Sequence, residues 1–173
     1  MQNKDFEKEL EDYFANNAFP QGVHFHRLPD SYSARGRRTV PPQPADFQFI
    51  LADGIHFYVE VKEAGDQNKH LFKMWKLSES QYQAYEDSVE LGFNFITLNY
   101  QHYNDTLYAV PAWLLRQEEI AKGDKTLDLN FIAQMYPWIV LNGKEDFIEQ
   151  LKSNPLMRYQ NEDQRPVRKP PES

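Results

Sequence analysis

Phe6, Leu10, Tyr13 and Phe14 recur at helical spacing with charges between them, which predicts an amphipathic helix over residues 4–16. Pro20 and Gly22 close that segment, and VHFHRL (23–28) reads as a first strand. Two apolar, aromatic-rich runs follow at DFQFILA (46–52) and IHFYVEVK (55–62), separated by Asp53-Gly54, a strong hairpin signal. Ser78 and Gln81 stand at capping-box spacing, so a helix from about 79 to 91 is expected, closed by Gly92. FNFITLNY (93–100) and TLYAV (106–110) read as strands, and Pro111 to about Glu119 as a helix. MYPWIVL (135–141) reads as an edge strand, because Pro137 has no N–H for a ladder. Residues 144–152 suit a last short helix. The order of elements predicts a mixed α/β sheet with helices packed on it. Residues 1–153 read as one domain. Residues 154–173, rich in proline and charge, read as a disordered tail.

Composition narrows the class without fixing the function. Aromatics make up 14% of the 173 residues, a globular composition. The absence of cysteine excludes disulfides and thiolate metal sites. With neither a signal-type apolar run nor a membrane-length segment, the chain reads as soluble and cytoplasmic. A net charge of −7 argues against a protein that coats nucleic acid broadly, but not against a local phosphate site. Positive charge is concentrated in 31–44 (SYSARGRRTVPPQP), an exposed basic loop or arm with Arg35, Arg37 and Arg38 and no acid.

The chemistry is carried by Asp46 and by Glu60-Val61-Lys62 on the following strand. Alternation places Glu60 and Lys62 on one face and Val59 and Val61 on the other. The turn decides where Asp46 falls. A three-residue Ala52-Asp53-Gly54 loop with left-handed Gly54 pairs Leu51 with Ile55 and puts Asp46 opposite Glu60. A two-residue Asp53-Gly54 turn would send Asp46 to the wrong face. The chemical reading therefore expects the longer loop. Two carboxylates and the Val61 carbonyl are hard oxygen ligands suited to Mg²⁺, with Mn²⁺ as an alternative. Such a metal activates water and polarises a phosphate, while Lys62 orients the nucleophile or stabilises developing charge. Ordinary solvated charges on a hairpin are the bland alternative. Against it, Glu60 and Lys62 interrupt a run apolar enough for a central strand, where unpaired charges are costly.

These residues resemble the PD-(D/E)XK nucleases, and within them the RecU-type Holliday junction resolvases and their phage relatives. The resemblance runs in order through Phe6-Glu7, HRLPDS (26–31), QPADF (43–47), YVEVKEAG (58–65), Ser80-Gln81 and residues 93–115. It covers about residues 4–115. It implies a restriction-endonuclease-like fold, with a mixed central sheet flanked by helices. It also implies a metal-dependent endonuclease acting on branched DNA in recombination and repair, working as a homodimer. Within it, Glu7 completes a metal shell of Asp46, Glu60 and Val61; the catalytic set is Glu7, Asp46, Glu60, Lys62 and Gln81. The family's junction-engaging stalk has its equivalent in the short 31–43 region.

Other residues carry paired readings. Gln81 can serve the active site or simply cap its helix. Arg27 can contact phosphate or form a plain ion pair. Arg35, Arg37 and Arg38, with Lys69 and Lys73, are candidate DNA contacts, against a solvated surface. His24, His26 and His56 read as packing or surface residues. Two rival functions remain: a catalytically weakened module that binds nucleic acid or protein on the same fold, and a nuclease of other specificity, such as restriction or phage defence.

Overall fold

A computed structural model describes residues 3–29, 43–65, 71–169 and 171. The candidate DNA contacts Arg35, Arg37, Arg38 and Lys69 lie outside the described residues, as does most of the basic 31–44 segment.

The first helix, α1 (Asn3–Asn17), buries Leu10 and Phe14 and half-buries Phe6 and Tyr13. Gly22, at φ 79°, lets the chain turn into β1 (Val23–Arg27). β1 pairs antiparallel with β2 (Phe47–Leu51), and β2 pairs antiparallel with β3 (His56–Ala64). The β2–β3 connection is the three-residue loop that the chemical reading requires. The Leu51 N–H donates to the Ile55 carbonyl at 2.8 Å, and Gly54 adopts φ 89°. Phe47 therefore pairs with Val59, and the same register carries Asp46 opposite Glu60.

Ser78 caps α2 (Glu79–Leu91) with the full capping box, and Gly92 closes it at φ 84°. α2 leads to β5 (Asn94–Gln101), which lies parallel to β3, and then to antiparallel β6 (Thr106–Pro111). The main sheet thus has the order β1-β2-β3-β5-β6. α3 (Ala112–Lys122) follows. A small ribbon pairs β4 (Leu71–Lys73) with β7 (Thr126–Asp128), ahead of α4 (Leu129–Met135). α5 (Phe147–Ser153) packs Phe147, Ile148 and Leu151 into the α1 side of the sheet. The opposite side is filled from α2, α3, α4 and the ribbon around Tyr85 and Trp113. Both faces of the central strands are covered. This is the expected α/β class: a mixed central sheet flanked by helices. No helix among the described residues is long and apolar enough to cross a membrane.

Two expectations are corrected. MYPWIVL does not form an edge strand. Pro137–Ile139 is a 3₁₀ turn, and only an isolated bridge between Tyr108 and Val140 joins it to the sheet. Proline suits the first turn of a helix and starves a ladder of a donor, so the turn wins. The tail expected to be disordered is anchored at several points as far as Arg168, although residues 161–164 and Val167 are exposed. Met157 is fully buried, the Trp113 indole donates to the Leu156 carbonyl at 2.9 Å, and Arg168 grips the buried Glu118. A few well-placed anchors outweigh a polar composition.

Candidate active site

The site lies where β2 ends and β3 runs on. β2 pairs with β3 only up to Val59, leaving the Glu60–Ala64 edge without β2 beside it. Asp46 takes over at this point. Its carboxylate accepts the Val61 N–H at 2.8 Å, while its own carbonyl accepts the Leu28 N–H at 2.9 Å. In an extended strand the N–H and C=O of one residue point the same way, so the Val61 carbonyl also faces this open edge. Ser80 ties the returning chain to the start of α2 by donating to the Gln43 carbonyl at 3.1 Å.

Asp46, Glu60, Val61 and Lys62 line one cleft of about 550 Å³, together with Glu7, Glu63, Lys76 and Gln81. Because the cleft sits on a strand edge, it collects residues from both sheet faces: Glu7 from α1 on one side, Gln81 from α2 on the other. Glu60 is 1% exposed, and its Oε1 lies 3.1 Å from Lys62 Nζ. Lys62 Nζ also donates to Gln81 Oε1 at 3.4 Å. That same oxygen accepts the Ser78 N–H at 2.9 Å, so Gln81 is at once capping residue and lysine anchor. Gln81 thus caps α2 and contacts Lys62 with one side-chain oxygen.

Burial, and next the neighbouring Asp46 carboxylate, push the Glu60 carboxyl well above the ordinary carboxylate range; Lys62 pulls the other way. Glu60 Oε2 is buried and receives no hydrogen bond. Two close carboxylates, one with an orphaned oxygen, beside an outward carbonyl form a donor set that a hard divalent cation would satisfy. Among the described residues no three His, Asp or Glu side chains gather into a metal-binding group. A cation here would rest on Asp46, Glu60, the Val61 carbonyl and water, a set suited to Mg²⁺, which keeps several waters.

The remaining candidates are more peripheral. Glu7 lines the cleft but is ion-paired with Arg27 at 3.3 Å; Arg27 also binds Glu11. Lys73 sits on β4, in a smaller neighbouring pocket. Sequence reasoning passed over Glu63 because alternation puts it on the face away from Glu60. It reaches the cleft round the strand edge and pairs with His102 at 2.8 Å. Lys76, which is not among the candidate DNA contacts named from the sequence, lines the cleft beside Lys62.

No family model and no curated protein sequence matches the chain. Among solved structures, one match is Hjc of Archaeoglobus fulgidus, a Holliday junction resolvase from an archaeal hyperthermophile. It is 14% identical, covers 82% of this chain and 98% of its own, and gives a TM-score of 0.47.

Proposed function

We propose that this chain is a divalent-metal-dependent DNA endonuclease of RecU-like type that hydrolyses phosphodiesters in branched DNA and acts as a homodimer. The observation that carries the reading is the meeting of Asp46, Glu60 and Lys62 at one open strand edge, with a buried Glu60 oxygen lacking a hydrogen bond.

Mg²⁺ or Mn²⁺ bound by Asp46, Glu60 and the Val61 carbonyl would lower the pKa of its water and neutralise charge on the phosphate. Lys62, steered by Glu60 and Gln81, presents its ammonium to the attacking water and to the charge that builds as a P–O bond breaks. Lys76 supplies a second cation at the same cleft for a phosphate oxygen. The Asp46 bond to the Val61 N–H fixes the strand edge, so the carbonyl and both carboxylates keep their relation without substrate. Arg27, Lys73 and the basic segment with Arg35, Arg37, Arg38 and Lys69 are proposed to hold flanking phosphates, Arg27 by exchanging its ion pairs. A symmetric junction needs two cuts, which motivates the two-fold dimer.

The test is cleavage of four-way junction, flap, single-stranded and linear duplex DNA with Mg²⁺ and with Mn²⁺. Metal-dependent cutting that favours branched forms supports the proposal. Cutting of linear duplex without preference points to another nuclease specificity. No cutting and no metal binding would leave a binding module.

A further inference from the structure

β5 carries a polar row through the interior. Thr97, Asn99 and Gln101 are each at most 1% exposed. In the parallel register they stand beside Glu60, Lys62 and Ala64. Buried amides are costly unless both ends are hydrogen bonded. The Asn99 amide nitrogen donates to Thr97 Oγ1 at 2.9 Å and to the Thr97 carbonyl at 3.3 Å, which turns Oδ1 the other way. Asn99 Oδ1 and Gln101 Oε1 are both buried and accept no hydrogen bond.

Both side chains line a pocket of about 30 Å³, shared with Lys62, Lys73 and Lys76. Lys62 lines the cleft as well, so it stands between cleft and pocket. One water needs roughly 10–15 Å³ of such space, so the pocket has room for about two. Lys62 has three ammonium donors. Glu60 Oε1 and Gln81 Oε1 account for two.

We propose that this pocket is a water site in which ordered water links the third Lys62 donor to Asn99 Oδ1 and Gln101 Oε1. Asn99 and Gln101 are then positioning residues that hold the Lys62 ammonium from behind during phosphodiester hydrolysis. The catalytic half of this inference rests on the nuclease reading; the hydration half does not. The chemistry is matched: the pocket is lined by two side chains with unbonded acceptor oxygens and by a lysine with ammonium donors, and water can serve both.

Two readouts test it. A high-resolution crystal structure of the metal-free wild-type protein is expected to show water within hydrogen-bond distance of Asn99 Oδ1 and Gln101 Oε1. The Asn99→Leu/Gln101→Met protein keeps the side-chain volumes but removes the water's acceptors and the Asn99–Thr97 bonds, so its melting temperature is expected to fall by roughly a few degrees while the fold is kept. KM is expected to hold, while kcat falls about tenfold to 100-fold as the ammonium loses its alignment. A dry pocket in the wild type overturns the inference even if the variant misfolds, and so does an unchanged kcat in the folded variant. Failure of the wild type to cut any DNA would instead overturn the nuclease reading, with the water site still read by crystallography.

Discussion

Replacing Glu60 by Gln separates a poised metal ligand from a structural ion pair. The Glu60 carboxyl is held well above its ordinary range by burial and by Asp46, and its Oε2 accepts no hydrogen bond. A carboxyl whose folded pKa exceeds its unfolded one binds protons more tightly when folded. Its contribution to stability is full below about pH 4.3 and is lost as pH rises toward the folded value. Without metal, charging this buried carboxyl as pH rises costs stability, and Glu60→Gln removes that cost. An unsatisfied buried acceptor costs about 1–3 kcal/mol, and losing the ion pair with Lys62 returns part of that. A net gain of about 1–2 kcal/mol corresponds to about 2–8 °C for a chain of this size. Differential scanning calorimetry in EDTA should show the variant melting higher at pH 7, with the gap closing near pH 4. Mg²⁺ at about 100 times its Kd should stabilise wild type by about 2.7 kcal/mol, enough to reverse the order, and leave the variant nearly unmoved. A variant that melts several degrees lower at pH 7 in EDTA, beside a wild type indifferent to Mg²⁺, would refute this reasoning.

Other perturbations reach different links. Gly54→Ala places a side chain at φ 89° and should cost about 1–2 kcal/mol in urea unfolding, with metal affinity falling because the loop sets the Asp46 register. Met157→Ala should cost about 2–5 kcal/mol in the same assay, since the side chain is fully buried; a silent substitution would restore a disordered tail. Gln81→Ala should lower stability by about 1 kcal/mol through the lost cap and also reduce kcat, because Lys62 loses an acceptor. Lys62→Ala should leave Mn²⁺ binding by calorimetry intact while lowering kcat about 100-fold or more.

The parts of the fold legible in the sequence are those where a local signal and the global packing agree. The Asp53-Gly54 turn, the Ser78/Gln81 box and the period-2 alternation of FYVEVK each specify a conformation that the tertiary structure keeps. Requiring Asp46 and Glu60 to share a face was enough to choose the three-residue loop. What escaped has physical causes. β4 and β7 are three residues each and meet across the whole of α2, β5, β6 and α3, so no periodicity announces them. α4 is too short for a helical stripe. Glu63 joins the cleft because the cleft sits on a strand edge, which a two-face reading of β3 does not contain. The tail's order depends on Trp113, Asn94 and Glu118, all far upstream of it.

The central claim is that one divalent cation belongs between Asp46, Glu60 and the Val61 carbonyl. Anomalous diffraction from crystals of the protein soaked in Mn²⁺ tests it directly. A single strong peak within bonding distance of both carboxylates and that carbonyl, lost in Asp46→Asn, is expected. A peak elsewhere, or none at saturating Mn²⁺, would contradict it.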